Sequence, residues 1–165
     1  MKKLFILLIA VAGFGVSSYG QASATATSTA TIITPITLTK VNNMNFGNIL
    51  VSGTLGTVVL TPASGRSLTG GVSLASTGTV TAASFTVGGD GSNTYAITLP
   101  SGATTLTSGA NTMTCDTWTS TPSSTGVLSS GSQTLNVGAT LHVAANQATG
   151  TYVSGTAFTV SVDYN

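Results

Sequence analysis

Any chemistry in this chain must come from very few side chains. The sequence holds one His (His142), one Cys (Cys115) and three Asp (Asp90, Asp116 and Asp163), and no Glu. Acid–base or nucleophilic catalysis needs several titratable groups brought together. His142 and an Asp could be combined with a Ser hydroxyl on paper. However, Leu135, Val137, Ala139, Leu141 and Val143 alternate with Asn136, Gly138, Thr140 and His142, which puts His142 on the solvent face of a strand. A solvated surface His is the simpler account. Cys115 follows Met113 at strand spacing, so the two share a face, and a free Cys belongs to the most buried residue types. A reactive thiolate needs a cationic neighbour, and none stands near Cys115 in the sequence. The expectation is a protein that is not an enzyme.

Binding motifs are equally sparse. There is no HxH, no CxxC and no EF-hand loop, so no metal is expected. Gly88-Gly89-Asp90-Gly91 faintly resembles a calcium-binding glycine turn but occurs once, whereas such turns come in stacked repeats. Thr69-Gly70-Gly71 lacks the Lys and the following helix of a phosphate loop, so no cofactor is expected. Trp118 falls, by strict alternation, on the face opposite Met113 and Cys115 and beside Asp116. Exposed there, it could stack on a sugar ring, which makes an extracellular carbohydrate-binding module the alternative reading. The simpler reading is that Trp118 closes one edge of the fold.

Charge narrows the partners. Of four Lys and Arg, Lys2 and Lys3 sit at the N-terminus, leaving Lys40 and Arg66. Nucleic acid needs several phosphate contacts and is excluded as a partner. The chain is 41% apolar with a mean hydropathy of +0.43, unlike a disordered chain. Thr, Ser, Asn and Gly fill the polar positions, and so uncharged a surface repels other copies weakly. That suits a homo-oligomer or surface assembly.

The elements that would position these residues are strands. Met1-Lys2-Lys3, the apolar run Leu4–Val16 and the small residues Ser17–Ala22 read as a signal peptide over 1–20, cleaved after Gly20 or Ala22. The run is shorter than the roughly 20 residues of a membrane helix, so no integral span is expected after cleavage. Residues 21–31 form a low-complexity Ala/Thr arm, either a flexible leader or a β-arm that pairs with another chain. Residues 32–165 should form a single domain. Period-two alternation and abundant β-branched residues predict strands near Ile32–Val41, Met44–Val51, Thr57–Thr61, Gly71–Leu74, Val80–Val87, Thr94–Leu99, Asn111–Thr119, Gln133–Val143 and Ala157–Asn165. Gly88–Asn93 reads as a hairpin loop. The uneven strand lengths favour an antiparallel sandwich over a barrel. Its core would include Phe46, Val58, Leu60, Phe85, Val87, Tyr95, Ile97, Leu135, Val137, Leu141, Phe158, Val160 and Val162.

Three stretches carry a resemblance: Met44-Asn45-Phe46-Gly47-Asn48-Ile49, the segment from Leu60-Thr61-Pro62 through Arg66 to Gly70-Gly71-Val72, and Gly150-Thr151-Tyr152 with the closing run Phe158–Asn165. Together they resemble an uncharacterised family of secreted bacterial β-sandwich domains, itself similar to spore coat protein U and to chaperone–usher fimbrial subunits. The resemblance implies an all-β, antiparallel immunoglobulin-like sandwich after an N-terminal signal peptide. It also implies an extracellular, cell-surface or periplasmic location in a Gram-negative-type bacterium, and a structural or adhesive role as a fimbria-like subunit. In such subunits the N-terminal arm of the next copy fills a gap in the sandwich, and a Tyr stands one residue from the C-terminus. Tyr164 matches that position, and Ala24, Ala26, Ser28, Ala30 and Ile32 share one face of the candidate arm. Fimbrial subunits usually carry a Cys pair and larger apolar arm side chains, where this chain has Cys115 alone and mostly Ala. The strand ending at Tyr164 is expected to pack centrally.

Overall fold

A computed structural model describes residues 20–165, so the signal-peptide reading of residues 1–20 lies outside the described residues except at Gly20. The chain divides into Met1–Ile32 and Ile33–Asn165. Within the first unit, residues 20–32 form no strand and are exposed. The second unit is all-β: no helix occurs among the described residues, and every strand pairing is antiparallel.

The strands are β1 (Thr37–Asn42), β2 (Asn45–Phe46), β3 (Ile49–Leu60), β4 (Arg66–Leu74), β5 (Val80–Thr81), β6 (Ala83–Gly88), β7 (Thr94–Thr98), β8 (Thr104–Ser108), β9 (Asn111–Thr121), β10 (Thr125–Val127), β11 (Ser132–Val143), β12 (Val153–Ser154) and β13 (Ser161–Tyr164). Eight form a curled sheet in the order β1-β6-β11-β9-β8-β12, with β3 also on β11 and β4 on β3. A smaller sheet runs β10-β7-β13, and β2 pairs with β5.

Strand β11 organises the body. One of its edges follows β9. The other pairs with β6 over Ser132–Val137 and with β3 over Ala139–Val143. Gly138 stands where these neighbours change over, and a Cβ there would run into the Leu60 carbonyl oxygen. Glycine is therefore required by close backbone approach. The inward residues of β11 serve two clusters. Ala139, Leu141 and Val143 join Phe46, Val58, Leu60, Val72 and Cys115 inside the curl. Leu135 and Val137 join Ala83, Val87, Tyr95, Leu128 and Val160 between the two sheets. Of the expected core, Phe85, Ile97, Phe158 and Val162 are half-buried and the remainder are buried.

Several expectations need correction. The first strand begins at Thr37, after Pro35, whose missing N–H cannot serve a ladder. The stretch Met44–Val51 divides between β2 and β3 because Gly47 turns the chain at φ +71°, whereas Thr57–Thr61 continues β3 through Leu60. Gly88–Asn93 is not a hairpin loop: β6 and β7 lie in different sheets. Its backbone bonds go elsewhere, with Gly89 donating to Gly131 at 2.9 Å and Gly91 accepting from Gly131 at 2.7 Å. The C-terminal strand is shorter than Ala157–Asn165 and forms an edge, pairing only with β7. Its packing is still substantial, since Val160 just before it is buried and Val162 and Tyr164 are half-buried.

Candidate functional site

The chemistry-bearing residues are separated by the sheet that carries them. On its outer face, His142 of β11 places Nε2 2.8 Å from Asp116 Oδ1 of β9. Asp116 lies opposite Thr140 in the ladder, diagonal to His142, a separation long side chains can bridge. Both partners are partly exposed, 45% and 38% by side chain. The hydrogen bond from His142, followed by one from Thr117, holds the Asp116 carboxyl below its ordinary value. The register places His142 outside and Leu141 inside, as the alternation requires.

Cys115 points the opposite way, into the curl beside Leu141. Burial, reinforced by the negative charge of Asp116, pushes its thiol up to about 12. It is a neutral apolar wall group.

Trp118 departs from strict alternation. Thr117 adopts φ +51° and the β9–β11 register shifts between Gly138 and Thr140. This bulge inserts an extra residue, so Trp118 turns to the same inner side as Met113 and Cys115, packing against both core clusters. Its Nε1 donates to the Gly102 carbonyl at 3.0 Å, and its ring meets Phe158 with centroids 4.5 Å apart. The expected outward placement beside Asp116 is thereby overturned, and no freely exposed stacking platform results.

These inward side chains line a cleft of about 740 Å³. Leu141, Val143, Met113 and Cys115 form part of its wall, with Trp118 and Phe158 beside them. Arg66 braces the nearby strand ends: Nη1 donates to the carbonyls of Phe46 (2.7 Å) and Asn48 (3.3 Å), and Nη2 donates to that of Ala75 (2.9 Å). No sequence motif announced this clamp. The isolation of a single Arg within the resembling stretch was its only signal.

At the opposite end, Tyr164 Oη donates to the Thr34 carbonyl at 2.9 Å and accepts from the Asp90 amide at 2.6 Å. This ties the segment leading into β1, the β6–β7 connection and β13 together. Strands β1 and β13 each end a sheet, and each has one edge not paired to a strand among the described residues. Ala24, Ala26 and Ala30 are exposed outside any strand, and Ile32 is 97% exposed. Among the described residues no helix is long and apolar enough to cross a membrane.

The fold and these features define an antiparallel β-sandwich with a partly apolar cleft and open strand edges. The chain belongs to the family described as "Domain of unknown function (DUF4402)", which it matches over residues 36–164. No curated protein and no solved structure gave a significant match.

Proposed function

We propose that this protein is a non-enzymatic structural or adhesive component of the bacterial surface, a secreted fimbria-like subunit that joins copies by strand addition. The observation that carries this reading is the pair of sheet edges at β1 and β13, each paired on one side only. An extended segment adding to such an edge gains main-chain hydrogen bonds and places alternate side chains inward. The Ala/Thr arm at residues 21–31 supplies an exposed segment outside any strand whose Ala and Thr alternate. Small Ala side chains bury little area, so backbone pairing would provide most of its affinity. The near-absence of surface charge favours close approach of copies.

Deleting residues 21–31 tests the reading. The expected result is loss of assembly in sedimentation, with the melting temperature of the folded body unchanged. A large drop in the monomer's melting temperature would show that the arm is a strand of its own sandwich. A mature protein that stays monomeric at high concentration would also count against the proposal.

A further inference from the structure

The cleft inside the curled sheet has a size suited to a small organic ligand. Its wall includes the apolar side chains of Met44, Phe46, Ile49 and Leu106 together with those already described. Among the described residues no Asp or Glu lines it, and Lys40 is the one charged residue that does. In the β1–β6 ladder Lys40 lies directly opposite Phe85, and opposed residues share a face. Since Phe85 also lines the cleft, the Lys40 side chain leaves β1 on the cleft side, the residue itself being exposed. Lys40 Nζ donates to Asn43 Oδ1 at 2.9 Å, and among the described residues no Lys or Arg forms an ion pair. Arg66, the other cation of the body, is committed to three carbonyls. A positive charge with no acidic partner among the described residues therefore borders a cleft lined by apolar side chains interspersed with Asn, Thr, Ser and Gln.

We propose that this cleft binds an aliphatic carboxylate, its chain along Met44, Leu106 and Met113 and its head group paired with Lys40. The apolar wall supplies affinity in proportion to the chain buried, roughly fourfold for each methylene. Lys40 selects the anionic head over a neutral one, and the absence of acidic residues from the lining leaves that charge unopposed. The inference does not rest on strand pairing between copies.

Trp118 is the chain's only Trp and lines the cleft, so its emission reports occupancy. The test titrates the protein with decanoate, dodecanoate and dodecanol, in wild type and in Lys40→Gln. Lys40 is exposed, so the variant should keep its circular dichroism spectrum and melting temperature. The expected result is a saturable change in Trp118 emission, with dodecanoate binding about fifteenfold tighter than decanoate. Lys40→Gln should weaken dodecanoate at least fivefold and leave dodecanol unchanged. The proposal is overturned if dodecanoate produces no saturable change, or if Lys40→Gln leaves carboxylate affinity intact. It is equally overturned if emission follows protein concentration and not ligand, because a second copy would then fill the cleft.

Discussion

Trp118 stacks on Phe158 with ring centroids 4.5 Å apart and ring planes inclined by 36°. This contact joins β9 of the large sheet to the segment entering β13 of the small one. An aromatic pair contributes about 0.5–1.5 kcal/mol beyond its buried area, and Phe158 is only half-buried. Phe158→Ala should therefore destabilise the body by about 2 kcal/mol. Chemical denaturation would measure the loss, and Trp118 emission in the native state should shift to longer wavelength.

Gly138 should tolerate no side chain. Its Cβ would meet the Leu60 carbonyl oxygen and, at 2.8 Å, the Thr61 carbonyl carbon. Both belong to backbone, which cannot rotate aside as a side-chain tip can. Gly138→Ala should cost about 3 kcal/mol or more, a fall of roughly 6 °C or more in melting temperature for a domain of this size. Gly102, with nothing within 4 Å of its added Cβ, provides the control. Gly102→Ala should change stability by no more than about 0.5 kcal/mol.

The outer-face pair predicts a pH dependence of known sign. Hydrogen bonds from His142 and then Thr117 lower the Asp116 pKa in the folded state. A depressed folded-state carboxyl stabilises the protein above its unfolded pKa, and that contribution disappears as pH falls through the lower folded value. Asp116→Asn should accordingly flatten the acid limb of a stability-against-pH curve. Because the pair is exposed, the difference at neutral pH should be small and should shrink in high salt. An Asp116→Asn curve parallel to wild type through the acid range would contradict the assignment.

Cys115 should resist alkylation while the protein is folded. With its thiol pushed up to about 12, almost no thiolate exists at pH 8, and the residue is only 2% exposed. Iodoacetamide should label it only after denaturant is added. Rapid labelling of native protein would show that the cleft wall opens. Cys115→Ser should cost about 1–3 kcal/mol, because it buries a hydroxyl where a weakly polar group stood.

The sequence by itself determined the local geometry of individual strands. A period of two put Leu135, Val137, Leu141 and Val143 inward and His142 outward along β11, because side chains on a strand alternate whatever the neighbouring strand is. It also marked Cys115 as buried. The tertiary structure decided everything that depends on partners far away in the chain. Alternation predicted the wrong side for Trp118 because a single positive-φ residue, Thr117, shifts the ladder against β11. The Gly88–Asn93 segment carries hairpin composition, yet its amides find Gly131 and Tyr164, so it crosses between sheets. Strand β8 was missed because Leu106 is the only apolar residue in Thr104–Ser108, and pairing with β9 supplies the order that composition does not. The cleft was invisible for the same reason. Lys40, Trp118 and Phe158 lie far apart in sequence, and only the curl of the large sheet around β11 brings them to one cleft.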